Sequence, residues 1–203
     1  MKYRIIAIDM QNDFATTGGK YYKERPSIDF FKKEILPFLE DNKLKIAEII
    51  SDYRQPRPGD SGVCCIPGSW GYESVIPEEF VANRWIKCMN SPIWTRNNIG
   101  DKEKDPGLPR QDSVGFGKWL QENVGLPGEV TPVLIGLTID CCVLSTAQEL
   151  NWRGYYPLVI DEGVDHSSGE ASKKNQIFDT PLPNWAEVVE WQDITKKMLK
   201  IRK

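Results

Sequence analysis

One histidine, His166, is the whole imidazole content of this 203-residue chain, and that rules out a metal centre built on an aspartate and two histidines. No Cys-x-x-Cys pair occurs either, so the spacing of a structural zinc site is missing. Nowhere do eighteen apolar residues run together, and the opening Met1-Lys2-Tyr3-Arg4 leads into too short an apolar stretch for a signal peptide. The expectation is a cytoplasmic protein with no membrane partner. Phosphate-cradling glycine loops are lacking as well: Gly115-Phe116-Gly117-Lys118 has no earlier glycine and runs into Trp119, and no Gly-x-Gly-x-x-Gly follows a strand. No nucleotide, and no other cofactor, is expected. Charge of one sign does not dominate: 26 basic against 29 acidic residues leave a net charge of −3, which offers no general attraction to nucleic acid. Only Lys196 to Lys203 is locally basic, which suits the negative pole of a closing helix.

The five cysteines include two adjacent pairs, Cys64-Cys65 and Cys141-Cys142, an odd count that does not read as a secreted disulfide framework. Length suits one domain over residues 1–203. Apolar runs near 4–8, 46–51, 85–87, 132–136, 156–161 and 187–190 predict strands. Helical patterns near 27–40, 114–123, 141–153, 168–177 and 193–200 alternate with them. That alternation argues an α/β protein with a parallel sheet covered by helices on both faces. Asp29 or Ser27 is a candidate cap for the first helix, and Gly154 can end the one after Cys142.

In the stretch from Ile135 to Ala147 an apolar strand ends in a Gly/Thr turn and a cysteine pair opens a helix. A thiol at a helix N-terminus faces unpaired backbone N–H groups and the positive end of the dipole, which favours the thiolate and leaves oxyanion donors beside it. Asp9 falls where the first strand's apolar run stops, and Lys87 ends another short run. In open parallel sheets the carboxyl ends of the strands line the ligand crevice, so these three side chains can converge. They form a candidate general acid/base, cationic support and nucleophile.

At these residues the chain resembles the isochorismatase-like cysteine hydrolase superfamily, which includes nicotinamidases, N-carbamoylsarcosine amidase and ureidoacrylate amidohydrolases. Asp9 sits in the strand-Asp-x-Gln-Asn-Asp-Phe opening, Pro67 to Gly71 matches the Pro-Gly-Thr/Ser-Trp-Gly loop, Lys87 and Ser91 fill the Lys-x-x-x-Ser slot, and Cys142 aligns with the nucleophile. The resemblance implies a three-layer α/β/α sandwich with six strands in the order 3-2-1-4-5-6, a cis peptide near Leu137-Thr138, and a homo-oligomer. It also implies an oxyanion hole from the backbone N–H groups of Thr138 and Cys142. Nicotinamidases place a divalent metal after the second strand, where this chain has Ser51-Asp52-Tyr53-Arg54. Asp52 remains but the histidines do not, so no metal is expected, and Arg54 is a candidate source of positive charge in its place.

Gln11, Phe14, Trp70 and Trp94 are candidate substrate contacts, with Gln11 and Asn12 alternatively tying down the loop after the first strand. The polar, turn-rich segment 95–112 is a candidate lid or surface excursion; as a lid it would bring Trp94, Arg96 or Arg110 to the substrate. A Cys142/His166 dyad is conceivable, with a loop or helix-cap histidine as the plainer reading. The expected function is metal-independent hydrolysis of a C–N bond in a small amide, carbamoyl or ureido compound through a thioester. The alternatives are vinyl ether hydrolysis, which needs no thiol, and a non-catalytic binding protein on the same fold.

Overall fold

The computed structural model describes residues 2–200; Met1 and the last three residues of the basic tail lie outside them. Six strands form one sheet: β1 (Lys2–Ile8), β2 (Ile46–Ser51), β3 (Val81–Lys87), and, after a small two-stranded ribbon of β4 (Trp94–Thr95) and β5 (Arg110–Gln111), β6 (Val130–Leu137), β7 (Leu158–Asp165) and β8 (Glu187–Val189). Their order is β3-β2-β1-β6-β7-β8 and every pairing is parallel. Renumbered within the sheet, this is the expected 3-2-1-4-5-6.

Period-two alternation splits the apolar side chains into two layers. Ile6, Ile8 and Leu134 face one side, where they pack with Phe116, Trp119 and Leu120 of α4 (Ser113–Asn123) and Val143, Ala147 and Leu150 of α5 (Cys142–Trp152). Ile5, Ala7, Val133 and Ile135 face the other. There they meet Ala15 of α1 (Asn12–Ala15), Ile28 of α2 (Pro26–Phe30), Leu39 of α3 (Leu36–Asp41), and Trp191 and Ile194 of α7 (Trp191–Lys200), while α6 (Ala171–Asp179) lies between β7 and β8 in the chain. Helices therefore cover both faces. Among the described residues, no helix is long and apolar enough to cross a membrane.

Three local expectations change. Neither Ser27 nor Asp29 caps the first helix: its N-cap is Arg25 with no side-chain cap, Pro26 stands at the first turn, and the Ser27 hydroxyl donates instead to Asp165. Between α2 and α3 the helix widens into a π-helical stretch, Phe31–Ile35, just ahead of Pro37, which has no N–H to give to the preceding turn. β3 starts four residues earlier than its apolar run, because as an edge strand it tolerates the polar Asn83 and Arg84; Arg84 Nε donates to the buried Glu48 carboxylate at 2.6 Å.

The excursion 95–112 starts and ends in the β4–β5 pair and folds back onto the end of β2. Arg54 donates to the carbonyls of Asn98, Asp101 and Lys104 at 3.2, 2.7 and 3.0 Å, and Arg96 donates to the Gly107 carbonyl at 2.7 Å.

Gly136 holds the two central strands together at the sheet's carboxyl end. Its φ is +118°, and a Cβ there would lie 2.1 Å from the Ile8 carbonyl oxygen. The next residue after Ile8 is Asp9, so any shift of this backbone moves the site. Gly136→Ala is expected to cost about 3 kcal/mol or more, through left-handed strain plus displacement of backbone. In thermal unfolding that is a fall in Tm on the order of 10 °C; an unchanged Tm would mean β1 and β6 are not so closely opposed.

Candidate active site

The ends of β1, β2 and β3 lie side by side, and the turn after β6 faces them. Asp9 leaves β1 with φ +50°, a left-handed conformation that Asp tolerates better than most residues, and its N–H donates to the Ile49 carbonyl at 2.8 Å. Cys142 is the first residue of α5, so its N–H has no carbonyl of its own helix to reach. The Leu137-Thr138 peptide is cis, as the resemblance implied.

Asp9, Lys87 and Cys142 come together. Lys87 is fully buried, and its Nζ lies 2.8 Å from Asp9 Oδ2, 2.8 Å from Ser51 Oγ, 2.7 Å from the Tyr53 hydroxyl and 3.3 Å from Cys142 Sγ. Ser51 Oγ in turn donates to Asp9 Oδ1 at 2.7 Å. The thiol touches the Asp9 carboxyl, the Tyr53 hydroxyl at 3.6 Å and Asn90 Oδ1 at 3.7 Å.

The electrostatics differ from the sequence expectation at one atom. The Cys142 thiol is pushed up to about 12, by burial first and then by the adjacent Asp9 charge, whose effect outweighs the lowering by Lys87 and Tyr53. Cys142 is therefore held as a thiol beside the Asp9 carboxyl, not as the thiolate that the helix N-terminus alone would favour. Burial opposes the charge on Lys87, but Asp9, Cys142 and Tyr53 together outweigh it and hold the ammonium well above its ordinary range.

A cleft of about 910 Å³ opens over these groups. Asp9, Cys142, Thr138, Phe14, Trp94 and Ser91 all line it. Two candidate contacts do not. Gln11 is buried with its amide latched to Ser51, accepting from that residue's N–H at 2.7 Å and donating to its carbonyl at 2.9 Å, so it ties β1 to β2. Trp70 is half-exposed, outside the cleft, and its carbonyl accepts from Asn12. No residue from 95 to 112 forms part of the wall, so neither Arg96 nor Arg110 reaches it.

His166 does not approach the sulfur: its Nε2 lies 3.4 Å from Asp140 and its Nδ1 2.9 Å from Ser168 Oγ, so both ring nitrogens are engaged and no Cys142/His166 dyad forms. Where the resemblance would place a metal, Asp52 is paired with Arg54 at 2.6 Å and accepts the Gly100 N–H at 2.9 Å. The guanidinium occupies the carboxylate's coordination sites, and the residues do not fit a divalent cation. A second ligand-type group, Asp13 with Cys64 and Cys65, lies close-set elsewhere. Its carboxylate already accepts from the backbone N–H groups of Cys65 and Lys20.

Tyr53, Ser51 and Asn90 escaped the sequence reading. Ser51 and Tyr53 flank the end of β2, the strand beside β1, and that adjacency was the available signal; Asn90 lies between two residues already singled out, Lys87 and Ser91.

No protein-family model matches the chain, and no curated protein matches it in sequence. Solved structures do. An isochorismatase-like hydrolase from Alkaliphilus metalliredigens is 18% identical, with 97% of this chain and 96% of that one covered and a TM-score of 0.66. A pyrazinamidase of Pyrococcus horikoshii in complex with zinc is 16% identical over 94% of this chain and 100% of its own, with a TM-score of 0.65. An N-carbamoylsarcosine amidase from Thermoplasma acidophilum is 18% identical over 94% and 96%, with a TM-score of 0.58. With its six parallel strands in the order β3-β2-β1-β6-β7-β8 and helices on both faces, this chain has the isochorismatase-like hydrolase fold.

Proposed function

We propose that the protein is a metal-independent cysteine hydrolase that cleaves a C–N bond in a small amide, carbamoyl or ureido compound. The observation that carries this reading is the meeting of Asp9, Lys87 and Cys142, from three distant parts of the chain, with Asp9 and Cys142 lining one cleft and Lys87 buried against both. Two of the fold's relatives above are amidases by name.

In the first step the Cys142 proton passes to Asp9 as the sulfur bonds to the substrate carbon, and the carbonyl electron pair moves onto oxygen. The backbone N–H groups of Thr138 and Cys142, both on the cleft wall, hold that oxyanion. The oxyanion collapses, the C–N bond breaks, and Asp9 returns its proton to the leaving nitrogen. A thioester remains. Water then gives a proton to Asp9 and attacks the thioester carbon, and the departing thiolate recovers the proton. Throughout, the Lys87 ammonium stays paired with the Asp9 carboxylate at 2.8 Å and keeps its positive charge 3.3 Å from the sulfur, where negative charge develops. Phe14 and Trp94 supply flat apolar walls for a planar substrate.

Ammonia release across a panel of small amides and ureides tests the reading. Cys142→Ala should lower turnover of any accepted compound by on the order of a thousandfold or more; retained turnover would point to chemistry that needs no thiol. Incubation with EDTA should leave the activity intact, because Arg54 occupies the carboxylate of Asp52; loss of activity restored by zinc would contradict this. Asp9→Asn should abolish hydrolysis yet make Cys142 easier to alkylate. Burial raises this thiol first and the Asp9 charge adds to it, so removing the charge lets Lys87 take the thiolate as its counter-ion. The alkylation profile should move to lower pH, giving about tenfold or more faster labelling at pH 8. Slower labelling in that variant would show that the carboxylate activates the resting thiol.

A further inference from the structure

Lys87 has four neighbours and three protons. Its Nζ contacts three oxygens at 2.7 to 2.8 Å and the sulfur of Cys142 at 3.3 Å. An ammonium can only donate, so each of the three oxygens must accept. Asp9 Oδ2 does so as a carboxylate. Ser51 Oγ does so while giving its own proton to Asp9 Oδ1. The Tyr53 oxygen accepts the third, and its phenolic proton must go elsewhere. The remaining acceptor within reach of that hydroxyl, among the described residues, is Cys142 Sγ at 3.6 Å. With all three N–H groups committed to oxygen, Lys87 meets the sulfur as a charge and not as a donor.

We infer that Tyr53 is a catalytic residue: its hydroxyl, polarised by Lys87, is the hydrogen-bond donor to the nucleophilic sulfur. Its place is well held. The ring is buried, the Arg57 guanidinium carbon stacks 3.6 Å from its centroid, Phe14 meets it edge-on at 6.4 Å, and its backbone pairs with Cys64. Burial keeps the phenol protonated far above neutral pH, so the proton it offers stays in place. As the thiol proton leaves for Asp9, negative charge gathers on sulfur and the O–H to S contact strengthens. The same contact favours departure of the thiolate when the thioester is hydrolysed. No proton is transferred from Tyr53 in either step.

Calling the sulfur nucleophilic rests on the hydrolase reading, but the test reads the sulfur itself and needs no substrate. Iodoacetamide labelling of Cys142, followed by peptide mass spectrometry to separate it from the other cysteines, gives its rate between pH 8 and 10. Tyr53→Phe removes one oxygen and leaves the ring under Arg57. Labelling of Cys142 should slow by about tenfold to a hundredfold, in line with losing a hydrogen bond to a charged group. 3-Fluorotyrosine placed at position 53 in the full chain makes the same hydroxyl a stronger donor and should quicken labelling. Equal rates in the native and the fluorinated protein, or in Tyr53→Phe where that variant folds, would overturn the assignment. If the amide panel fails while both shifts appear, the hydrolase reading falls and the donor assignment stands.

Discussion

An ammonium with no exposure to solvent sits at the centre of this molecule's polar chemistry. Leaving water costs Lys87 several kcal/mol, and a buried cation persists only where oppositely charged and acceptor groups surround it. Asp9, Ser51 and Tyr53 supply those groups from the ends of two neighbouring strands, and Cys142 closes the set from the helix opposite. The arrangement therefore constrains in both directions. The lysine needs the carboxylate to remain charged, and the carboxylate has the lysine as its ion-pair partner at 2.8 Å, beside a sulfur that burial keeps protonated. Removing the lysine leaves the carboxylate as an unpaired interior charge, and removing the carboxylate leaves the sulfur as the ammonium's remaining counter-ion.

The parallel sheet makes that meeting possible. Adjacent strands running the same way put their carboxyl ends in one row, so residues 9, 51 and 87 become neighbours although they are far apart in the chain. Gly136 brings β6 close enough to β1 for the turn before α5 to face that row. Beside it, Arg54 neutralises Asp52 and gathers three carbonyls of the excursion 95–112, so one guanidinium both fills a place where a cation would otherwise sit and anchors a long polar segment. That segment is held at the end of β2, away from the cleft.

Much of this was legible in the sequence because the signals were local or ordered. Period-two apolar runs mark the strands, and charged or thiol side chains at their ends mark the crevice. What escaped depends on pairing across the chain. Tyr53 reads as one more aromatic in a loop until β2 is known to lie beside β1, and Gln11 stays open between a substrate contact and a tie for its loop until both ends of its amide are found on Ser51. The protonation of Cys142 is hidden from the sequence for a related reason. A helix N-terminus is visible in sequence, but complete burial against a carboxylate is not, and here burial and Asp9 outweigh the dipole. The edge strand β3 looks short in the sequence because solvent on its open side permits polar residues within a strand.

A crystal soaked with a small aldehyde tests the central claim most directly, since an aldehyde carbon can be trapped by a thiol as a tetrahedral adduct. The account predicts a carbon–sulfur bond at Cys142, the adduct oxygen against the backbone N–H groups of residues 138 and 142, and the Asp9 carboxyl within hydrogen-bond reach of the adduct. An adduct on another residue, or one on Cys142 whose oxygen points away from that turn with Asp9 walled off from it, would contradict the account.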